Sequence, residues 1–129
     1  MIQDYSIYRQ EFLNDARNPK RFKRMARPDV ELESANPVCG DELTIFLKFD
    51  KNEKKVAEAT FDGRGCMVMM ASSARLLDVV EGKSLSWLKK LTSKKVLNIF
   101  GAPLTPSRQE CALLPFQALR RLKIGKVIK

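Results

Sequence analysis

The chemistry available to this chain is concentrated in three cysteines, each inside its own short signature. Cys39 lies in Asn36-Pro37-Val38-Cys39-Gly40-Asp41, Cys66 in Gly63-Arg64-Gly65-Cys66, and Cys111 in Arg108-Gln109-Glu110-Cys111-Ala112. Together with Asp41 they offer three thiolates and one carboxylate, the donor set of a four-coordinate site for a thiophilic metal. Asp41 follows Cys39 by two residues, so a single loop can turn both toward one ion; the same spacing also suits a turn-stabilising Asx residue. A carboxylate holds soft iron or zinc less firmly than a thiolate does, which makes Asp41 the natural exchangeable ligand. Gly40 and Gly65, each beside a cysteine, permit positive φ and close approach of backbone to an ion or cluster, and a tight turn would explain them equally well. In a reducing compartment an odd number of widely spaced cysteines is poorly explained as a disulfide framework, which leaves buried thiols, a reactive thiol or metal ligands.

The elements that must position these residues follow from the apolar spacing. Tyr5, Tyr8 and Phe12 recur at three and four residues, predicting a helix over residues 4–17 with Asp4 as N-cap and the aromatic stripe in the core. Asn18-Pro19 stops it, and a basic arm continues to Arg27-Pro28. A short strand is expected over 30–34. Leu43, Ile45, Leu47 and Phe49 alternate on one face of a second strand, and a third, 55–61, follows the polar turn Asp50-Lys51-Asn52-Glu53 as an antiparallel hairpin.

After Gly65 the periodicity becomes helical, from Cys66 to Val80, and Glu81-Gly82 ends it. Ser84 caps a helix over 85–91, with Trp87 a packing residue, and Ser93 caps another through Val96, Leu97 and Phe100 to Gly101. A loop containing Pro103 and Pro106 leads to a last amphipathic helix from near Cys111 through Leu114, Ala118 and Leu122. Pro115 is tolerated only in a first turn, so this helix should start at or just after Cys111. The order of helix, three strands, then helices predicts an α+β fold, a three-stranded antiparallel sheet covered by helices on one face. On this scheme Cys39 sits in a loop between strands and Cys66 at a strand-to-helix junction. Cys111 sits at a second helix start. Unpaired N–H groups at a helix N-terminus favour thiolate over thiol, which would make Cys66 and Cys111 better ligands and better sulfur nucleophiles.

A chain of 129 residues, 44% apolar, can build one core, so residues 1–129 are expected to form a single domain. Met1-Ile2-Gln3-Asp4-Tyr5 lacks the basic and then apolar pattern of a leader, and no apolar run reaches the roughly 18 residues of a membrane span, so a cytoplasmic protein is expected. The net charge of +9 attracts acidic partners without choosing among nucleic acid, a membrane surface and an acidic protein face. The cations crowd the arm (Arg17, Lys20, Arg21, Lys23, Arg24, Arg27) and a tail (Arg120, Arg121, Lys123, Lys126, Lys129), each readable as a solvated face or a docking surface. A basic binding module with incidental thiols would interleave aromatic residues with those cations, and only Phe22 and Phe116 come close.

Four ordered elements carry a resemblance across nearly the whole chain: Asn36-Pro37-Val38-Cys39-Gly40-Asp41, Phe61-Asp62-Gly63-Arg64-Gly65-Cys66, the small-residue run Met70-Ala71-Ser72-Ser73-Ala74, and Cys111-Ala112-Leu113. The chain resembles the NifU/IscU/SufU family of iron-sulfur cluster assembly scaffolds. The resemblance implies a SufE/NifU-like fold, with Cys39, Asp41, Cys66 and Cys111 holding iron as a [2Fe-2S] cluster or, alternatively, zinc. It implies a scaffold and sulfur acceptor rather than an enzyme in the ordinary sense, although a sulfurtransferase-like relay is compatible with it. Its implied partners are a pyridoxal-phosphate cysteine desulfurase, whose persulfide sulfur Cys39, Cys66 or Cys111 would accept, and apo iron-sulfur proteins that receive the cluster. Neither nucleic acid nor membrane is implied.

The departures from the family pattern are specific. IscU-type members carry His immediately before the third cysteine, where this chain has Glu110 and no histidine anywhere. SufU-type members also lack that His and share the Arg108-x-x-Cys111 spacing, but usually carry an insertion of about twenty residues that is missing here. The chain is thus an intermediate variant, like IscU-type members in lacking the insertion, and the SufU-like absence of His makes a zinc-dependent relay of persulfide sulfur, without a stable cluster, the alternative function. Leu104-Thr105-Pro106-Ser107-Arg108 keeps only Leu, one Pro and a basic residue of the IscU chaperone motif, which puts recognition by an Hsp70-type chaperone in question. Arg108 is placed either to balance the site's negative charge or simply on the surface. Glu110 is either a fifth oxygen ligand or solvent-exposed.

Overall fold

In the computed structural model, which describes residues 14, 20–38, 40–52 and 54–122, the apolar alternation folds into three antiparallel strands in the order β1-β2-β3. They are β1 (Val30–Asn36), β2 (Asp41–Phe49) and β3 (Val56–Arg64). The register pairs Leu32 with Ile45 and Ile45 with Phe61, so these side chains share one face, and all three are buried. The third strand runs past its expected end at residue 61. Gly63 and Arg64 extend the ladder by pairing with Leu43 and Glu42, because Gly63 has no side chain to strike the Glu42 carbonyl. That extension carries the chain to Gly65 and Cys66 directly beside Asp41.

Five helices follow: α1 (Met67–Val80), α2 (Leu85–Lys89), α3 (Ser93–Phe100), α4 (Pro106–Ala112) and α5 (Leu114–Leu119). The small residues Ala71, Ser72, Ser73 and Ala74 let α1 pack closely on several sides, against β3, α3, α4 and α5, while α5 lies on β1 and β2. The α+β architecture, with helices on one sheet face, is the one the element order predicted. Ser84 caps α2 as expected, its Oγ accepting from the Trp87 N–H at 3.1 Å, and Trp87 packs against the core. For α3 the cap is Thr92 rather than Ser93: Thr92 Oγ1 accepts from the Lys95 N–H at 3.2 Å.

The larger correction concerns the region expected to be a loop followed by one helix starting near Cys111. Thr105 is the N-cap and Pro106 opens α4, so a helix precedes Cys111, which lies in its last turn. The chain then breaks at Leu113 (φ −89°, ψ −2°), and Pro115 falls in the first turn of α5, where its missing N–H costs little.

The opposite sheet face is partly covered as well. Phe22 bridges to Phe61 on the outer side of β3, and the chain then crosses the sheet to reach β1, where the Asp29 N–H donates to the Leu47 carbonyl. This crossing buries Met25, Phe46 and Thr60, with the Arg24 guanidinium 5.0 Å from the Phe46 ring centre. Among the described residues, three cations of the basic arm pair with acids of the chain, the outermost being Lys20, 4.0 Å from Glu81. Arg21 is buried and pairs at 2.7 Å with both Asp78 and Glu81, and Arg24 pairs with Asp62 at 3.0 Å. Of the helix expected over 4–17 only Asn14, which is helical, is described, and the tail cations Lys123, Lys126 and Lys129 lie outside the described residues. No helix among the described residues is long and apolar enough to cross a membrane.

Candidate metal centre

The candidate ligands converge from separate elements. Asp41 is the first residue of β2, Cys66 is the N-cap of α1, and Cys111 is in the last turn of α4. The Asp41 carboxylate is 2% exposed; its Oδ1 accepts from the Cys66 backbone N–H at 3.2 Å, and its Oδ2 lies 3.7 Å from Cys66 Sγ, placed to accept from the thiol. One donor atom each from Asp41, Cys66 and Cys111 all lie within 4.8 Å of one another. Cys39 lies outside the described residues, although both neighbours, Val38 and Gly40, belong to the loop between β1 and β2. The Gly40 N–H closes that loop onto the Asn36 carbonyl at 2.9 Å with φ +74°, a conformation that favours glycine.

These donors fit a metal. With metal–sulfur bonds of about 2.3 Å, the edges of a tetrahedral site are roughly 3.8 Å long. The Asp41–Cys66 separation already matches such an edge, and the remaining separations need only a small contraction. Two thiolates with a carboxylate suit zinc or iron better than a hard cation.

A cavity of about 530 Å³ opens over the cluster, walled in part by Gly65, Arg64, Ser107 and Arg108. Arg64 reaches Glu42 at 3.2 Å, while Arg108 is exposed on the α4 side of the opening, so cationic groups border thiols that ionise when they bind metal. Glu110 is exposed and lines a different depression, with Val38 and Gln117, rather than joining the donor cluster.

Cys66 occupies the helix N-terminus foreseen for it. Cys111 does not, because α4 begins five residues earlier, at Pro106, and the positive end of its dipole is at the other terminus. The argument that a helix start favours the Cys111 thiolate therefore fails. Gly65, singled out for positive φ or close approach, serves by close approach alone, since its φ is not positive, while Met69 escaped notice in the sequence. An ideal Cβ at Gly65 would stand 2.5 Å from the Met69 methyl and 2.9 Å from Asp41 Oδ1, so Gly65 is the surface against which both are packed. Met69 is three residues beyond Cys66, one helical turn away on the same face, and that spacing was the available signal.

Among curated proteins the chain is similar to the zinc-dependent sulfurtransferase SufU of Bacillus subtilis, with 26% identity over 90% of this chain and 88% of the relative. It is also similar to the iron-sulfur cluster assembly scaffold protein IscU 1 of Archaeoglobus fulgidus, with 28% identity over 95% and 82%. The N-terminal part of a NifU-like protein from Brucella abortus has the same fold, with a TM-score of 0.66 at 21% identity over 89% of this chain and 90% of that one. So has FiSufU from Fervidobacterium islandicum, at 0.72 and 23% identity over 92% and 98%. The family model described as the NifU-like N terminal domain matches residues 7–123, a span that includes β1–β3, α1–α5 and every candidate ligand discussed above, and the chain belongs to that family.

Proposed function

We propose that this protein is an iron-sulfur assembly scaffold that receives sulfur as persulfide from a cysteine desulfurase, builds a [2Fe-2S] cluster on Cys39, Asp41, Cys66 and Cys111, and passes it to apo-proteins. The observation that carries the proposal is the convergence of Asp41, Cys66 and Cys111 donor atoms within 4.8 Å beneath an open cavity. Sulfur enters by thiol–disulfide chemistry. A cysteine thiolate attacks the outer sulfur of the donor's persulfide, a new S–S bond forms on the scaffold, and the donor leaves as thiolate. Converting that sulfur to sulfide takes two further electrons from an external reductant. Cys66 is half-buried whereas Cys111 is 4% exposed, so of these two Cys66 is the more accessible nucleophile. Asp41, the weakest donor in the set, is the ligand to exchange when the cargo leaves.

A second reading has a specific feature in its favour. The chain lacks histidine and has Glu110 before Cys111, and its relative from Bacillus subtilis is named as a zinc-dependent sulfurtransferase. Under this reading the same residues hold zinc, and persulfide sulfur is relayed without a stable cluster.

The deciding experiment measures iron, zinc and acid-labile sulfide on the anaerobically purified chain, before and after incubation with iron, cysteine and a desulfurase. A Cys66→Ala, Cys111→Ala double variant is run in parallel. Equal iron and sulfide bound to the parent and absent from the variant is the expected result. Retained zinc without sulfide selects the relay, and no thiol-dependent metal in either state refutes both.

A further inference from the structure

The helical break just after Cys111 is held by two buried side-chain hydroxyls. Ser72 Oγ, on α1, donates to the Ala112 carbonyl at 2.6 Å, and Ser34 Oγ, on β1, donates to the Leu114 carbonyl at 2.9 Å. Both serines are nearly inaccessible, at 2% and 7% exposure. Between their acceptors lies Leu113, where α4 stops and α5 begins, and Pro115 has no N–H with which to continue the helical ladder. The break takes the Ala112 carbonyl out of the helical ladder, where a buried carbonyl without a donor is costly, so Ser72 supplies its donor, while the Leu114 carbonyl opens the α5 ladder and receives the Ser34 hydroxyl as a second donor.

The two anchors lead directly to the other ligands. Ser72 belongs to the helix that Cys66 caps, and lies under two turns beyond it. Ser34 pairs with Leu43, and two residues farther along the same ladder Asn36 pairs with Asp41. The segment carrying Cys111 is therefore tied by one hydroxyl to the Cys66 element and by another to the strands that set Asp41.

We propose that Ser72 and Ser34 are positioning residues that fix Cys111 relative to Cys66 and Asp41, so that the run Ala71-Ser72-Ser73-Ala74 serves the site as well as the packing of α1. The proposal rests on the reading of Cys66, Cys111 and Asp41 as one ligand set. Neighbouring Ser73 provides a matched control: it is on the same helix and is equally buried, but its Oγ donates to the Met69 carbonyl of its own helix at 2.8 Å and makes no link to α4.

The test compares Ser72→Ala, Ser34→Ala and Ser73→Ala with the parent chain. In the metal-free, reduced protein, iodoacetamide alkylation of the Cys111 peptide is followed by mass spectrometry, a readout of local opening that needs no metal. Ser72→Ala and Ser34→Ala should alkylate at Cys111 at least about threefold faster than Ser73→Ala, because only they release the break. With cobalt(II) as probe, both should bind about tenfold more weakly than the parent, as loss of outer-shell support typically does, and with shifted thiolate and ligand-field bands. Ser73→Ala should keep the parental spectrum. The proposal is overturned if Ser72→Ala or Ser34→Ala, when folded, matches Ser73→Ala in Cys111 alkylation, or keeps the parental cobalt spectrum and affinity. Should Ser72→Ala not fold, Ser34→Ala decides alone. A parent chain that takes up no cobalt refutes the ligand-set reading, and the alkylation rates still decide whether the hydroxyls hold Cys111.

Discussion

Replacing Gly65 by alanine should destabilise the metal-free protein through Asp41, and the cost should disappear when the Asp41 carboxylate is removed. The backbone at Gly65 is not among the positive-φ glycines, so alanine meets no conformational strain there. What it meets is side chains. The new methyl would stand 2.9 Å from Asp41 Oδ1 and 2.5 Å from the Met69 methyl, where ordinary contact begins at 3.4 Å. To relieve this the carboxylate must retreat by about 0.5 Å and the Met69 methyl by about 0.9 Å, both inside a closely packed interior. Overpacking of this kind costs about 1–3 kcal/mol, against about 0.4–1 kcal/mol recovered because alanine restricts the unfolded chain, leaving a net loss of roughly 1–2 kcal/mol.

In an Asp41→Ala background the two atoms of Asp41 nearest the new methyl, Oδ1 and Cγ, are gone and only the flexible end of Met69 has to move. The same substitution should there be close to neutral, a coupling of about 1–2 kcal/mol between positions 41 and 65. Urea unfolding of the four proteins in chelator measures it, and with a slope of about 1–3 kcal/mol/M the expected difference in midpoint shift is roughly 0.5–1.5 M. Displacing the carboxylate from the Cys66 N–H should also weaken zinc binding by about 10–100-fold in the single Gly65→Ala variant. Equal destabilisation in the two backgrounds would refute the claim that Gly65 is the surface on which Asp41 is set, and would leave Met69 as the whole cause.

Other perturbations probe the frame around the site. Arg21 is buried and donates to Glu81, Asp78 and the Ala59 carbonyl, so Arg21→Met should cost about 2–3 kcal/mol in thermal or denaturant unfolding; this is below the full penalty for a broken buried pair because Glu81 and Asp78 keep contact with water. The hydrogen bond from Arg21, followed by that from the Ala59 N–H, holds the Glu81 carboxyl below its ordinary value of 4.5 despite an opposing effect of burial. Its stabilisation is therefore complete above that value and lost as pH falls through the lower folded-state value. A denaturant series across the acid range should show this loss in the parent and a shallower loss in Arg21→Met; parallel acid profiles would count against the pairing. Thr60 Oγ1 is buried with no hydrogen-bond partner among the described residues, so Thr60→Val should stabilise the protein by about 1 kcal/mol, and a lower midpoint for this variant would show that the hydroxyl is satisfied after all.

What the sequence revealed and what it concealed divide along physical lines. Strand β2 was legible because Leu43, Ile45, Leu47 and Phe49 recur at every second position, and all four are buried on one face, with Phe46 buried on the other. Asp41 and Cys66 were legible as neighbours because their loops bracket the same pair of strands. The error at Cys111 came from reading Pro103 and Pro106 only as breakers. Thr105-Pro106 is also an N-cap followed by proline at the first helical position, which starts a helix as well as any signal in the chain. Periodicity could not reveal the roles of Ser34 and Ser72, since a serine on an apolar face has the same local pattern whether it bonds within its own helix, as Ser73 does, or to another element. The destination of Arg21 was equally hidden, because the partners that bury it, Asp78 and Glu81, lie more than fifty residues away along the chain.

Under the proposed function, that distribution bears on how the chain would hold and release a cluster. The Asp41–Cys66 half of the candidate site is set by a direct hydrogen bond and by the extended β2–β3 ladder, neither of which requires an ion. The position of Cys111 depends instead on a short helix, a break at Leu113 and hydroxyls reaching from two other elements. An ion held by all three residues links the sheet, α1 and α4, so binding adds to stability in proportion to its affinity. Loosening the α4–α5 junction removes one thiolate while leaving the other half intact, a route to release that does not require unfolding the sheet. On this argument the junction should be the first part of the site to open, and the alkylation rate at Cys111 measures how often it does so.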